Sequence, residues 1–258
     1  MHDKKALQAG TSHYFGDGFA KAFEITFTGK DNQLHNPHQT SWGVSTRMIG
    51  GIIMTHGDNN GLVLPPRIAP IQVVIIPVAQ HKEGVLEANR AVMDRLVKAG
   101  FRVKMDDSDQ SAGWKFAEYE MKGIPLRLEL GPKDKEKNQC VLVRRDSGEK
   151  TFVSLDGIED TVAAMLDAIH DGLYAKAKKN LEDNTYACSS LEEVREKMQE
   201  RGGFAKTMWC GDEACEIRMK EEAGVTSRCI PFAQENLGDV CPICGKPAKH
   251  MVCWGVAY

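Results

Sequence analysis

Two pairs of closely spaced cysteines near the end of the sequence have the spacing of metal ligands. Cys210 and Cys215 form a Cys-x4-Cys pair, and Cys241 and Cys244 form a Cys-x2-Cys pair. Four thiolates can hold a tetrahedral zinc ion, and because no ligand position stays open, such a site is structural. The alternative is that these are buried free cysteines that pack as small apolar residues. The polar, glycine- and proline-bearing segments around both pairs favour zinc, with reserve ligands at Cys229, His250 and Cys253.

A second candidate lies where a strand is predicted to end at Thr46 and an apolar helix to begin near Arg47. The arginine fork and the unpaired N–H groups of a helix N-terminus both favour a phosphate group. Taken alone, an arginine at a helix start is also typical of a solvated surface residue, and His13 beside Thr and Ser is typical of a satisfied polar residue. Gly50 and Gly51 are expected to let the helix approach its neighbour closely.

The composition excludes several classes of protein. With 42% hydrophobic and 27% charged residues, the chain is typical of a soluble globular protein. A net charge of -3 argues against a generally basic nucleic-acid coat, so RNA contact requires a local positive surface. The apolar runs are too short to span a bilayer and no signal-peptide pattern opens the sequence. We therefore expect a cytoplasmic protein without membrane contact, whose eight cysteines are free thiols or metal ligands.

Hydrophobic periodicity predicts one compact sheet covered by helices in the middle of the chain. Short strands are predicted at 72–78, 101–105, 125–130, 140–143 and 151–153, and helices at 83–99, 113–122 and from 158 to about 180. Ser190 and Glu193 form a capping-box pattern that predicts a further helix, which ends before Gly202. The first region is predicted to end in a short strand at 62–66 that Pro65 and Pro66 punctuate.

Several motifs together resemble one enzyme family. The run from Trp42 through Thr46-Arg47, His56-Gly57-Asp58 and Leu64-Pro65-Pro66 to 72–77 resembles the third signature motif of class II aminoacyl-tRNA synthetases, in the form of the prolyl enzymes. The segment Gly10-Thr11-Ser12-His13 resembles the part that closes their prolyl-adenylate pocket, and the run from Lys115 to Asp134 is similar to their anticodon-reading face. The four-cysteine module and the final Tyr258 fit the eukaryote- and archaeon-like branch of the prolyl-tRNA synthetase family.

The resemblance implies an α/β architecture in three parts. Residues 1–68 would be the C-terminal part of a class II catalytic domain with motif 3. Residues 69–178 would be a five-stranded mixed-sheet anticodon-binding domain, and residues 179–258 a small α+β zinc-binding domain. A tail like Trp254–Tyr258 folds back towards the catalytic pocket in relatives, but a tail packed on its own zinc domain fits the sequence equally well.

Site residues follow from the same resemblance. Arg47 and His13 would be catalytic, and the ATP and proline pocket would comprise Gln8, Thr11, His13, Trp42, Ser45, Thr46 and Arg47, with His13 and Trp42 near the proline ring. Glu120, Arg127 and Lys133 would read anticodon bases, because arginine can grip guanine bidentately and a carboxylate can accept from its N–H groups. Without the resemblance, this trio is also typical of a solvated face of ordinary ion pairs.

The implied function is that of the C-terminal portion of a proline–tRNA ligase, which uses ATP and Mg²⁺ to form prolyl-adenylate and transfers proline to tRNA(Pro). The family's full-length enzyme would be a homodimer. The sequence lacks the family's first and second motifs, so we expect negligible proline activation by this chain alone. A free-standing tRNA-binding module without catalysis is the alternative. A third and weaker alternative is a zinc-bearing nucleotide-binding enzyme of unrelated type, which the sequence does not favour because it has no glycine-rich phosphate loop.

Overall fold

A computed structural model describes every residue from Met1 to Tyr258 and divides the chain into two compact units. One unit is Ile52–Thr185, and the other combines Met1–Gly51 with Tyr186–Tyr258. The first and last parts of the sequence thus belong to the same unit. The division into domains at 1–68, 69–178 and 179–258 stays a prediction.

The first part of the chain is built around an antiparallel ribbon that leads into a helix. The ribbon pairs Gly10 with Val44 and His13 with Ser41. None of the side chains of the helix that begins at Arg47 is buried. An added Cβ at Gly51 would lie 3.0 Å from the Leu7 side chain, so close approach is confirmed there, whereas Gly50 faces open space. The elements are β1 (Gly10–Gly16), α1 (Gly18–Ala22), β2 (Phe27–Thr28), β3 (Leu34–His35), β4 (Gln39–Val44) and α2 (Arg47–His56).

The unit Ile52–Thr185 contains the predicted five-stranded mixed sheet. Its elements are β5 (Val73–Pro77), α3 (Val85–Lys98), β6 (Val103–Met105), α4 (Ala112–Met121), β7 (Leu126–Leu130), α5 (Pro132–Glu136), β8 (Gln139–Arg144), β9 (Lys150–Ser154) and α6 (Ile158–Asp183). The strand order is β6-β5-β7-β8-β9. Strand β5 is parallel to β6 and β7, and the remaining pairs are antiparallel.

Strand β5 is buried along its whole length because helices cover both faces of the sheet. Side chains that alternate along β5 point to opposite faces of the sheet and belong to two separate apolar clusters. Val73 and Ile75 pack in the larger cluster with residues of α3 and α6, whereas Val74 and Ile76 pack with Tyr119 of α4. A continuous apolar run rather than an alternating one is the expected pattern for such a strand.

The predicted strand at 62–66 does not form. Instead, the backbone N–H of Leu62 donates to the carbonyl of Met121, and that of Leu64 donates to the carbonyl of Gly123. The segment thus runs beside the end of α4. Gly123 has a φ of 71°, and a Cβ there would lie 2.6 Å from backbone atoms of Leu62, so only glycine permits this approach. Two adjacent prolines cannot donate to a sheet ladder, which is why the segment pairs through isolated bonds.

The last part of the chain forms a second sheet with the order β10-β11-β13-β12. Trp254 is fully buried in it, and its Nε1–H donates to Thr207 Oγ1 at 2.9 Å. Ser190 caps α7 by accepting from the Glu193 N–H at 3.1 Å, whereas the Glu193 carboxylate accepts from Ser189 N–H. The elements are β10 (Thr185–Ala187), α7 (Leu191–Glu200), β11 (Phe204–Trp209), α8 (Glu213–Ala223), β12 (Thr226–Cys229) and β13 (His250–Gly255).

The C-terminal tail pairs with the beginning of the chain. Ala6 N–H donates to Val256 O at 2.8 Å, and Tyr258 N–H donates to Ala6 O at 3.0 Å. These bonds place the tail backbone against the segment that leads into Gln8. No helix of the chain combines the length and the apolar character needed to cross a membrane.

Candidate functional site

A polar cavity of about 370 Å³ opens beside the hairpin of β8 and β9. We call it the hairpin pocket. Its apolar floor is made by Val74, Tyr119 and Ile124, which belong to one buried cluster. Burial, together with a hydrogen bond to Asp106, raises the pKa of Tyr119 to about 12, so its phenol stays protonated. The polar residues around the cavity are Asp58, Asn60, Glu120, Arg127, Arg144, Arg145, Asp146, Ser147 and Lys150.

Two adjacent arginines of the pocket are each held by a carboxylate. The Nη1 and Nη2 groups of Arg145 donate to the two oxygens of Asp58, both at 2.7 Å. Arg144 binds Asp146 in the same two-point manner, at 3.0 and 2.8 Å. Because these guanidinium groups are already neutralised, the pocket is suited to a hydrogen-bonding ligand such as a base more than to a bare phosphate.

Glu120, at the end of α4, is fixed at two points. Asn60 Nδ2 donates to Glu120 Oε1 at 3.0 Å, and Arg145 Nε donates to the Glu120 backbone carbonyl at 2.8 Å. The close approach of the 61–64 segment to Gly123 brings Asn60 into reach. Glu120 thus presents its carboxylate in one orientation.

Arg127 is held in the same pocket by its neighbours on the sheet face. Its Nε donates to Glu129 Oε1 at 2.9 Å, and the guanidinium carbon lies 4.2 Å from the centre of the Phe116 ring. Arg127 and Glu129 share a face because side chains alternate along β7. The use of Nε by Glu129 leaves the two Nη groups of Arg127 for a ligand.

The structure brings together two of the three predicted anticodon residues. Glu120 and Arg127 both line the hairpin pocket, whereas Lys133 lies exposed on α5 and does not line it. Sequence reasoning did not select Asp58, Asn60, Arg144 or Arg145. The adjacent arginines before the turn at 146–148 were a visible signal, and Asp146 lies two residues from Arg144, but Asp58, the partner of Arg145, is far away in the sequence.

A second cavity, of about 290 Å³, lies at the junction of the ribbon and α2. We call it the ribbon pocket. Among its lining residues are Gln8, Thr11, Ser45 and Arg47, four of the predicted ATP and proline residues. Ser45 Oγ accepts from the Arg47 N–H at 3.3 Å, a local hydrogen bond at the start of α2.

The other predicted residues of that site do not line the ribbon pocket. His13 stacks on Phe15, with ring centres 5.3 Å apart, and Thr46 lies between β4 and α2. The ribbon pairs Ser12 with Trp42 and His13 with Ser41. Since side chains alternate between faces, His13 shares a face with Thr11, and Trp42 lies on the opposite one. The placement of His13 and Trp42 around one proline ring stays a prediction.

The four predicted metal ligands converge. The sulfurs of Cys210, Cys215, Cys241 and Cys244 all lie within 4.8 Å of one another. The Sγ atoms of Cys210 and Cys215 are 3.7 Å apart, as are those of Cys210 and Cys244. Tetrahedral coordination at about 2.3 Å per Zn–S bond requires sulfurs roughly 3.8 Å apart. The cluster therefore has the size of a four-thiolate metal site.

The surroundings of the cluster act on its thiols in opposite directions. Burial raises the pKa of Cys210 and of Cys215. The backbone N–H of Lys246 lowers the pKa of Cys244 to about 7. Gly245 has a φ of 73°, the left-handed conformation that turns the chain tightly after Cys244. The reserve ligands Cys229, His250 and Cys253 lie outside the group.

Two family models match separate parts of the chain. A family model described as an anticodon binding domain matches residues 72–165. A second, described as prolyl-tRNA synthetase, C-terminal, matches residues 191–258. By sequence, the chain corresponds to the C-terminal region of prolyl-tRNA synthetases. Apart from Asp58 and Asn60, the residues that line the hairpin pocket lie within the anticodon-binding match. The cysteine cluster lies within the C-terminal match.

Relatives named as proline–tRNA ligases match this chain along its whole length. A Proline--tRNA ligase of Clostridium botulinum (strain Okra / Type B1) is 60% identical over 258 residues. Another, of Ruminiclostridium cellulolyticum, is 61% identical, and the Proline--tRNA ligase 2 of Bacillus thuringiensis subsp. konkukian is 58% identical. Each match covers 100% of this chain and 54% of the relative. The chain therefore spans about half the length of these relatives.

Proposed function

We propose that the hairpin pocket binds an anticodon base of tRNA(Pro), as part of a proline–tRNA ligase. The observation that carries this proposal is the convergence of Glu120 and Arg127, each held in place by a neighbour, in one cavity with an apolar floor. A base that is flipped out of its stack needs an apolar surface for its ring and fixed polar groups for its edge. The pocket supplies both.

Guanine fits the chemistry of these side chains best. Proline codons begin with two cytidines, so the matching anticodon carries two guanines. The Nη groups of Arg127 can donate to guanine O6 and N7, and the Glu120 carboxylate can accept from N–H groups on the Watson–Crick edge. Because Arg144 and Arg145 are neutralised by carboxylates, the pocket favours recognition of the base over general attraction of phosphate.

The ribbon pocket is the proposed contact for ATP and proline in the ligase. Arg47 at the first position of α2 combines a permanent positive charge with the positive end of the helix dipole, which suits a phosphate group. Gln8, Thr11 and Ser45 add neutral donors and acceptors around it. The Mg²⁺ that accompanies ATP would neutralise phosphate charge when bound.

We also propose that the ion of the cysteine cluster is zinc and that its role is structural. The sulfur separations support tetrahedral thiolate coordination, which zinc and iron–sulfur centres share. Zinc, unlike an iron–sulfur cluster, needs no inorganic sulfide. With four protein ligands, no position remains open for substrate.

Binding of anticodon stem-loop RNA by the purified chain tests the base-binding proposal. We expect Arg127→Ala to weaken binding of a proline anticodon stem-loop by about 1–3 kcal/mol. Stem-loops in which either guanine is replaced by adenine identify which base the arginine contacts, because the mutation costs little for the RNA that has lost that guanine. Glu120→Gln removes the acceptor charge while keeping the shape of the side chain.

Arg90→Ala is the matched control. Arg90 forms an ion pair with Asp107 at 3.5 Å, in the same unit but outside the pocket. Its loss should leave RNA binding unchanged. An equal loss of affinity by Arg127→Ala for all stem-loops would indicate a phosphate contact and overturn the proposal.

A further inference from the structure

Two cysteines outside the metal cluster face each other across neighbouring strands. The register of β12 and β13 pairs Ser227 with Trp254 and then, after an irregularity at Arg228, Cys229 with Cys253. Directly paired residues of antiparallel strands have Cα atoms about 4.5–5.5 Å apart. A disulfide requires Cα atoms roughly 4.4–6.8 Å apart. The backbone therefore already holds this pair at a bridging distance.

The pair differs from the remaining free cysteines in exposure. Cys229 is exposed and Cys253 half-buried, whereas Cys140 and Cys188 are buried. The charged groups around Cys253 are Lys206, its partner on β11, and Glu235, which binds the Lys206 ammonium at 2.9 Å. Burial raises the pKa of Cys253 to about 11. The exposed Cys229 is therefore the thiol that a dissolved oxidant meets first.

We propose that Cys229 and Cys253 form a reversible disulfide when the protein meets a peroxide. The thiolate of Cys229 attacks one oxygen of hydrogen peroxide, the O–O bond breaks, and hydroxide leaves to give a sulfenic acid on Cys229. The sulfur of Cys253 then attacks the Cys229 sulfur, the S–S bond forms and the S–O bond breaks. Two thiols and one peroxide become one disulfide and two waters, so the peroxide takes up both electrons.

This disulfide would close a loop that contains half of the metal cluster. Cys241 and Cys244 both lie between Cys229 and Cys253 in the sequence. A covalent closure restricts the unfolded states of the enclosed segment. The oxidised protein is therefore expected to keep β12, β13 and the enclosed loop together after the metal has been removed, and a dithiol reductant reverses this effect.

Peptide mapping of the peroxide-treated chain tests the proposal. The protein, purified without chelator, is treated with hydrogen peroxide, alkylated and digested with trypsin and a glutamate-specific protease without reduction. Cleavage after Arg228, Glu235 and Lys249 separates Cys229 from both Cys241 and Cys253. We expect peptide 229–235 linked to peptide 250–258, with a mass lower than their sum by two hydrogens, and we expect dithiothreitol to separate them.

Two variants and a melting experiment complete the test. Cys229→Ser, at an exposed position, and Cys253→Ser should each abolish the linked peptide. The peroxide-treated wild type should melt several degrees higher than the reduced protein once both have been stripped of metal by a chelator, and Cys229→Ser should show no such shift. Separate, over-oxidised peptides in the wild type, or Cys229 linked to Cys241 or Cys244 instead, would overturn the proposal.

Discussion

Arg145 and Asp58 form a two-point ion pair between the β8–β9 hairpin and the turn that follows α2, with both N–O distances at 2.7 Å. The Arg145 side chain is 5% exposed and the Asp58 side chain 46% exposed. Through its Nε, the same guanidinium also binds the backbone of Glu120. This arginine thus links the ion pair to the residue proposed to read a base.

The ion pair makes stability depend on pH in the acidic range. Arg145 lowers the pKa of Asp58 from 3.8 to about 2. A carboxyl group whose pKa is lower in the folded state than in the unfolded state stabilises the folded protein. This contribution is complete above the unfolded pKa, and it is lost as the pH falls through the folded pKa. We expect Asp58→Asn to cost about 1 kcal/mol at neutral pH, because the carboxylate is half exposed. The difference from wild type should shrink as the pH falls from about 4 to about 2 and vanish below that.

Urea unfolding of both proteins across this pH range measures the effect. Asp107→Asn is the control, because Asp107 forms a longer and more exposed ion pair with Arg90. A free-energy difference between wild type and Asp58→Asn that stays constant down to pH 2 would show that Arg145 does not act on Asp58.

Asn60 is predicted to orient Glu120 without contacting RNA through its own side chain. Its Nδ2–H group holds Glu120 Oε1, so Asn60→Ala should let the carboxylate rotate. We expect a loss of about 0.5–1.5 kcal/mol in binding of the proline anticodon stem-loop, the worth of one hydrogen bond. In the Glu120→Ala background, which lacks the acceptor, Asn60→Ala should cost less, and a double-mutant cycle measures this difference. Asn59→Ala, at an exposed neighbouring position, serves as the control, and additive losses would speak against an orienting role.

The cysteine cluster makes a prediction about zinc content. Cys241→Ser removes one of four thiolates, so we expect both the loss of bound zinc and a much lower melting temperature of the C-terminal part, since metal binding and folding are coupled. Cys188→Ser is the matched control, because Cys188 is buried in the same apolar cluster but is not a ligand. It should keep one equivalent of zinc by elemental analysis. A Cys241→Ser protein with full zinc content would exclude this ligand set.

The core of the second sheet offers a test of one buried hydrogen bond. Trp254 and Thr207 are both fully buried, and the indole N–H donates to Thr207 Oγ1. Thr207→Val keeps the shape but removes the acceptor, and we expect a loss of about 1–3 kcal/mol in the free energy of unfolding. Thr207→Ser keeps the hydroxyl and should recover most of the hydrogen-bond contribution. A Thr207→Val protein as stable as wild type would show that this hydrogen bond does not stabilise the fold.

Local patterns in the sequence were sufficient to predict most helices and strands. The apolar run at 72–78 became the fully buried β5, and the amphipathic run at 83–99 became α3. The prediction of a strand followed by a helix that begins near Arg47 was also confirmed. These features depend on side-chain periodicity and on helix ends, which act over a few residues and are therefore readable from the chain. The prediction of a strand at 62–66 was wrong, because the conformation of this segment depends on its close approach to Gly123.

The sequence by itself indicated that the four cysteines converge, since two short cysteine pairs can meet around one ion only with a limited set of spacings. It also indicated Glu120, Arg127, Thr11 and Arg47 as candidate site residues. The tertiary structure alone decided that Arg145 meets Asp58, that Lys133 lies outside the hairpin pocket, and that the tail pairs with Ala6 in one unit. Such contacts join positions far apart in the chain. They depend on the path of the whole backbone, which no short stretch of residues specifies.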